Sequence, residues 1–340
     1  MTPKAAALTD AVKNEALNKF REIPRLRFGV YPTVIEEMPR LRAELGSGPR
    51  LYIKREDYSG AGFGGNKVRK LEYMFAQAQA EGADPVLTVG GIRSNHCRVT
   101  AAFAARLGIE CHLILNGAAD ATPASTFLDG LYGATIHQVA SRDDRAPNMQ
   151  RLADELRAKG RKPLPIPLGA SVPLGALGFI HAAHEIAQSG TRFDAIFHST
   201  SSGGTQAGLD AGLQLYGQER VNLIGVSADD PATSIASHIA EIVAGIADLL
   251  GCDAAALRRP IEVDDQFVGA GYGIATPEGD EALRLLAKTE GIVLDPVYTG
   301  KAMAAMIARI GSGAFTPNQR VLFLHTGGQL ALFSARTPGI

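Results

Sequence analysis

Lys67 is the residue whose surroundings point most directly to chemistry. It stands near the middle of GAGFGGNKVRKL, residues 60–71, where four glycines leave the backbone free to curl closely around a ligand. From Lys67 onward Val68, Leu71, Phe75 and Ala78 fall at helical spacing, so the lysine sits on a fixed element behind a pliable loop. Such a lysine can hold an aldehyde as a Schiff base. A solvated lysine in the first turn of an ordinary helix has the same local sequence, and only the other motifs separate the two readings.

Ser201, Ser202, Gly203, Gly204 and Thr205 lie between a predicted strand and a predicted helix. Free backbone N–H groups and the positive end of the helix dipole favour a phosphate there. No GK[ST] follows and no GxGxxG is present, so a single phosphate monoester fits better than a nucleotide; a turn capping a helix is the plainer alternative. GGIRSNHCR, residues 90–98, has the same setting, and Ser94 and Asn95 offer hydrogen bonds to a ligand oxygen or a plain helix cap. His96 and Cys97 have no identifiable catalytic partner and read as core. Tyr272 in GAGYG and Tyr298 in DPVYTGK are held in irregular backbone, where a phenol can stack on a flat cofactor and pass protons; a half-buried structural tyrosine is the rival for each.

The elements that must position these residues alternate. Strands are predicted at 51–55, 85–89, 112–115, 193–198, 222–227 and 321–325, and helices over 1–25, 67 onward, up to about Leu107, and at 151–159, 205–216, 232–250 and 277–290. Buried strands alternating with amphipathic helices mark an α/β fold with parallel sheets covered on both faces. Ligands of such sheets collect at the carboxyl ends of the strands, and GGIRSN, STSSGGT and HTGG all occupy such ends. The longest uncharged run, 163–180, is broken by four prolines and several glycines and is not expected to be a membrane-spanning helix.

At 340 residues two domains are expected. Lys and Arg number 34 against 35 Asp and Glu, which gives no global field for nucleic acid or an anionic membrane and favours a small-molecule ligand. The N-terminal stretch carries charges throughout and no apolar signal core, and Cys97, Cys111 and Cys252 show no CxxC spacing. The expectation is a cytoplasmic protein with reduced thiols, neither membrane-bound nor nucleic-acid-binding.

Taken together, GGNKVRKLE, GGIRSNHCR, SSGGTQAG, GYG, LDPVYTGKAM and HTGG resemble, in order and along nearly the whole chain, the pyridoxal-phosphate enzymes of fold type II that comprise D-cysteine desulfhydrase and 1-aminocyclopropane-1-carboxylate deaminase. The resemblance implies a homodimer of two-domain, tryptophan-synthase-β-like subunits, each domain an open, mostly parallel sheet flanked by helices. It implies a large cofactor-binding domain over 1–69 plus 181–340 and a small domain over 70–180. It implies that Lys67 bears pyridoxal 5'-phosphate as a Schiff base beside Asn66, that Asn95 contacts its phenolic oxygen, and that Ser202, Gly203, Gly204 and Thr205 hold its phosphate. Ser94 and Tyr298 would stand beside a small amino-acid substrate, with Tyr272 nearby.

The deaminase branch reads YEGK and HLGG where this chain has Thr299 and Thr326. A hydroxyl at the pyridine nitrogen only hydrogen-bonds it, whereas a carboxylate keeps it protonated and deepens the electron sink. Both threonines are expected at that nitrogen, favouring β-elimination from D-cysteine over cyclopropane ring opening. Phe63 before GGNK looks more like the deaminase, and Arg93 beside Ser94 suits an anionic leaving group, as in L-cysteate sulfo-lyases, or simply faces solvent. A non-catalytic amino-acid-binding module is the rival from another class; binding alone does not need a Schiff-base lysine.

Overall fold

The computed structural model describes residues 9–117 and 124–334. Its strands are β1 (Ile35–Glu37), β2 (Arg50–Lys54), β3 (Val86–Gly91), β4 (Cys111–Asn116), β5 (Thr135–Val139), β6 (Leu164–Ile166), β7 (Ala195–Thr200), β8 (Asn222–Ser227), β9 (Glu262–Asp264) and β10 (Arg320–Leu324). They form a six-stranded sheet in the order β1-β2-β10-β7-β8-β9 and a four-stranded sheet in the order β5-β4-β3-β6. Every pair is parallel except β1 with β2. The α/β class read from the sequence is what the chain adopts. β7, AIFHST, is buried along its whole length, as a central parallel strand covered on both faces must be.

The helices are α1 (Asp10–Glu22), α2 (Pro39–Glu44), α3 (Lys67–Glu81), α4 (Asn95–Leu107), α5 (Ala124–Leu131), α6 (Arg145–Ala158), α7 (Pro173–Gln188), α8 (Gly204–Leu215), α9 (Ala232–Leu250), α10 (Ala254–Leu257), α11 (Pro277–Glu290) and α12 (Thr299–Gly311). Residues 173–180 form the first half of α7. Pro173 takes the first helical position, where a missing N–H costs nothing and the fixed φ suits the turn. α6 begins at Arg145, six residues before the predicted start at 151, a difference that matters for the site.

α9 is long and apolar enough to cross a membrane by composition. Here its Ile235, Ile239, Ile242, Val243 and Ile246 pack in a core cluster with α1, α7 and α8. The lysine helix α3 is anchored more firmly. Arg69 donates to Glu56 at 2.6 Å and to Glu185 at 2.7 Å, and Lys54 reaches Glu185 at 2.7 Å, a buried charge cluster tying α3 to β2 and α7. Two cations and two carboxylates compensate one another; truncating Arg69 would leave both acids buried without it.

Candidate active site

The carboxyl ends of β3, β7 and β10 open into one cleft of about 810 Å³, its open mouth included. Its walls bring together Asn66, Lys67, Ser94, Asn95, Ser202, Gly203, Thr205, Tyr272, Tyr298 and Thr326. Lys67 is the first residue of α3, and its Nζ donates to Asn66 Oδ1 at 3.0 Å. Burial lowers its amine to about 8; the nearby Arg98 cation adds to that shift and Asp295 opposes it. A Schiff base forms from a neutral amine, so this lowering is the useful direction.

One end of the cleft is built to take an anion. Gly203 lines the cleft and caps α8 at φ 77°, a left-handed conformation suited to glycine, so the start of α8, with its unpaired first-turn N–H groups, adjoins the cleft. Lys70, one turn beyond Lys67, is buried on the same wall, with Nζ donating to Ser171 Oγ at 3.0 Å and to Gly169 O at 3.3 Å. Burial holds its amine well below the usual lysine range, with the charge of Lys67 adding. Ser202 and Ser171 share a 2.7 Å hydroxyl contact, and Thr205 Oγ1 accepts from Asn66 Nδ2 at 2.9 Å. Gly204 lies just behind the wall; a Cβ there would come within 2.7 Å of Ser171 Oγ and 3.0 Å of Lys70 Nζ.

Ser94 caps α4, its Oγ accepting from Cys97 N at 3.2 Å, which leaves its own proton free to donate. Asn95 is oriented by its neighbour. Arg98 donates to Asn95 Oδ1 at 2.6 Å, and because a guanidinium cannot accept, the amide N–H₂ is the part of Asn95 left to bond elsewhere. That suits a phenolate oxygen. Cys97 is fully buried with its thiol pushed up to about 12, and buried His96 shares a 2.8 Å contact with Thr88 Oγ1, so both serve as packing rather than nucleophiles.

Tyr272 and Tyr298 meet hydroxyl to hydroxyl at 2.7 Å. Burial of the phenols raises both, most strongly Tyr298, although the Tyr272 ring is still 37% exposed at the mouth. At neutral pH both are therefore proton donors. Thr326 lies on the wall and shares a 2.7 Å contact with Ser199 Oγ. Thr299 does not line the cleft. As first residue of α12 it gives its hydroxyl to Asp295 Oδ1 at 2.7 Å, and that carboxylate also takes the N–H groups of Val297, Tyr298 and Thr299. A buried acid demands donors, and the start of α12 supplies them, so of the two threonines expected at a ring nitrogen only Thr326 reaches the cleft wall. Phe63 is 59% exposed and off the wall, and Arg93 is not on it either.

A family model described as pyridoxal-phosphate dependent enzyme matches residues 26–327. The chain belongs to that family. It is 38% identical over 327 residues to D-cysteine desulfhydrase of Salmonella typhimurium, covering 94% of this chain and 98% of the relative. A solved structure described as an ACC deaminase homologue superposes with TM-score 0.87 at 34% identity, over 94% of this chain and 96% of that one. Threonine deaminase isoform 2 from Solanum lycopersicum, at 18% identity and TM-score 0.69, shares the fold.

Pyridoxal phosphate is the cofactor of this family, and the donor set fits it: an amine of lowered basicity at Lys67, a second buried amine, Lys70, one helical turn away beside the start of α8, an amide N–H₂ on Asn95 and a hydroxyl on Thr326. Lys70, Ser171, Ser199, Arg142, Arg145 and Asp229 were not singled out in the sequence. Lys70 was within reach, since the i, i+3 spacing places it on the face of Lys67. The two arginines gave no local signal.

Proposed function

We propose that this enzyme catalyses α,β-elimination on a small amino acid, with D-cysteine giving pyruvate, ammonia and hydrogen sulfide. The bound cofactor supplies the electron sink for the Cα–H bond pair. Ser94 and the N-terminus of α4 orient the substrate carboxylate, and Asn95 donates to the cofactor's phenolic oxygen. Lys67 Nζ, with its lowered basicity, takes the α-proton. Tyr298, held protonated and braced by Tyr272, donates toward the departing sulfur. The observation that carries this reading is the convergence of Lys67 and the tyrosine pair on one cleft, with a hydroxyl and no carboxylate at Thr326.

A neutral partner for the ring nitrogen gives a modest electron sink, enough to expel a thiolate and poor for opening a cyclopropane that has no α-proton. 2-Oxoacid release on one preparation, pyruvate from D-cysteine and L-cysteine and 2-oxobutanoate from 1-aminocyclopropane-1-carboxylate, tests this: cysteine turnover exceeding ring opening by orders of magnitude is expected, and faster release of 2-oxobutanoate contradicts it. We also propose a cytoplasmic homodimer, supported by the free thiols of all three cysteines and by exposed Phe127, Leu131 and Phe333, whose elements α5 and 329–334 adjoin. Sedimentation analysis checks the dimer.

A further inference from the structure

We propose that Arg145 forms a subsite for an oxyanion carried on the substrate's Cβ, so that this cleft takes 2-aminopropanoates bearing a sulfonate-type β-substituent as well as the neutral thiol. The proposal rests on the elimination reading above. Arg145 opens α6 on the small-sheet side, is only 7% exposed, and lines the cleft. Its Nε donates to Asn116 Oδ1 at 2.6 Å, which fixes the plane of the guanidinium. Among the described residues no carboxylate pairs with it, whereas Arg142 beside it is already engaged by Asp230 at 2.9 Å.

The position of Arg145 excludes the other anions of the reaction. The end proposed for the phosphate has its own buried amine, Lys70, bonded to Ser171 and Gly169. The substrate carboxylate has Ser94 and the α4 terminus. Arg145 instead stands by the tyrosine pair: its anchor Asn116 lies next to Gly91, where a Cβ would come 4.0 Å from Asn116 Oδ1 and 3.6 Å from Tyr272 Cε1. Tyr272, Tyr298 and Cys97 are the ionisable groups felt there besides the Arg142 cation, and all three are neutral at pH 7. An arginine buried without a counter-charge is costly, and a thiol, neutral when bound, does not require one. A sulfonate presents oxygens in the spacing that a guanidinium fork matches with two bonds. The balanced reaction is cysteate plus water to pyruvate, ammonium and hydrogensulfite. The Cα–H bond breaks with the proton going to Lys67 Nζ, the Cβ–S bond breaks with its pair leaving on sulfur, and Arg145 faces the departing sulfite.

The test compares the holoenzyme with Arg145→Gln and Arg145→Lys on both enantiomers of cysteate, cysteine and β-chloroalanine. Alongside, calorimetry gives the Kd of 3-sulfopropanoate, which has the anion but no amine. Wild type is expected to release pyruvate from one cysteate enantiomer with kcat/KM at least equal to that for D-cysteine. In Arg145→Gln the ratio of kcat/KM for cysteate to that for β-chloroalanine should fall by about 100-fold, in line with loss of a charge-assisted double contact, and Arg145→Lys should recover part of it. The Kd of 3-sulfopropanoate should rise in parallel. An unchanged ratio overturns the proposal, as does an equal loss on all three substrates, which would place Arg145 at the common carboxylate. If wild type releases pyruvate from none of them, the elimination reading falls, and the Kd then decides the subsite alone: raised in Arg145→Gln it stands, unchanged it falls.

Discussion

The two ends of the cleft that offer donors to an anion are made from different materials. At the end proposed for the phosphate the available groups are largely backbone, the N–H groups at the start of α8, with Lys70 delivered from the same helix as Lys67. At the end proposed for the substrate's β-substituent, Arg142 is paired with Asp230, and the cation left without a carboxylate partner among the described residues is Arg145, carried by the small-sheet side and held by Asn116 at the end of β4. A backbone cradle serves a constant ligand, since its geometry does not change with side-chain identity. A side-chain subsite can be altered by one substitution, so the substrate end is where specificity diverges on a shared frame.

The sharpest way to break this division is at Tyr298. Tyr298→Phe removes a proton donor and should lower kcat for elimination by about 10²–10⁴-fold while leaving the cofactor bound, because the phosphate end is untouched. Loss of the violet absorption band in this variant would show that the two ends are not separable. Gly204→Ala attacks the other end. Its Cβ would crowd Ser171 and Lys70, so the dissociation constant for pyridoxal phosphate should rise about 10–100-fold, read by titrating cofactor-free protein. The specificity ratio between cysteate and β-chloroalanine should stay within about threefold in the saturated variant.

Lys67 gives a pH test. Its folded-state pKa, about 8, is lowered from 10.5, so below pH 8 the amine is mostly protonated and cannot attack an aldehyde. The rate at which cofactor-free protein captures pyridoxal phosphate should climb about tenfold per pH unit up to about 8 and then level off. A climb continuing toward pH 10 would mean an unperturbed lysine. The smallest effect is expected at Thr326→Asp, which places a carboxylate where a hydroxyl meets Ser199. Protonation of the ring nitrogen should move the absorption of the substrate-bound enzyme to longer wavelength and slow elimination roughly threefold to tenfold. An unchanged spectrum would remove Thr326 from the ring nitrogen.

The contrast between the two ends also explains what the sequence disclosed. Glycine loops at strand ends are short, contiguous signals, so Lys67, the 202–205 loop and the 94–95 pair could be read directly, and the long apolar strands gave the α/β class. β5, with Thr135, His137 and Gln138, is a mostly exposed edge strand without apolar alternation, and β6 has only three residues, one of them Pro165; neither could be seen from its pattern. Arg145 reads as one charge in SRDDRAPN, and only folding brings it beside Asn116. Thr299 adjoins Tyr298 in sequence, but its hydroxyl is taken by Asp295 and it does not line the cleft, which no local pattern discloses.

The central claim is that Lys67, not Lys70, carries the cofactor. The two lie one helical turn apart in the same cleft, but Lys70 Nζ is bonded at the phosphate end to Ser171, while Lys67 Nζ rests on Asn66 beside the tyrosines' wall. Borohydride reduction of the holoenzyme followed by proteolysis and mass mapping should place the phosphopyridoxyl group on Lys67 and leave Lys70 unmodified. A tag on Lys70, or a Lys67→Ala variant that still forms the reducible chromophore, would contradict the account.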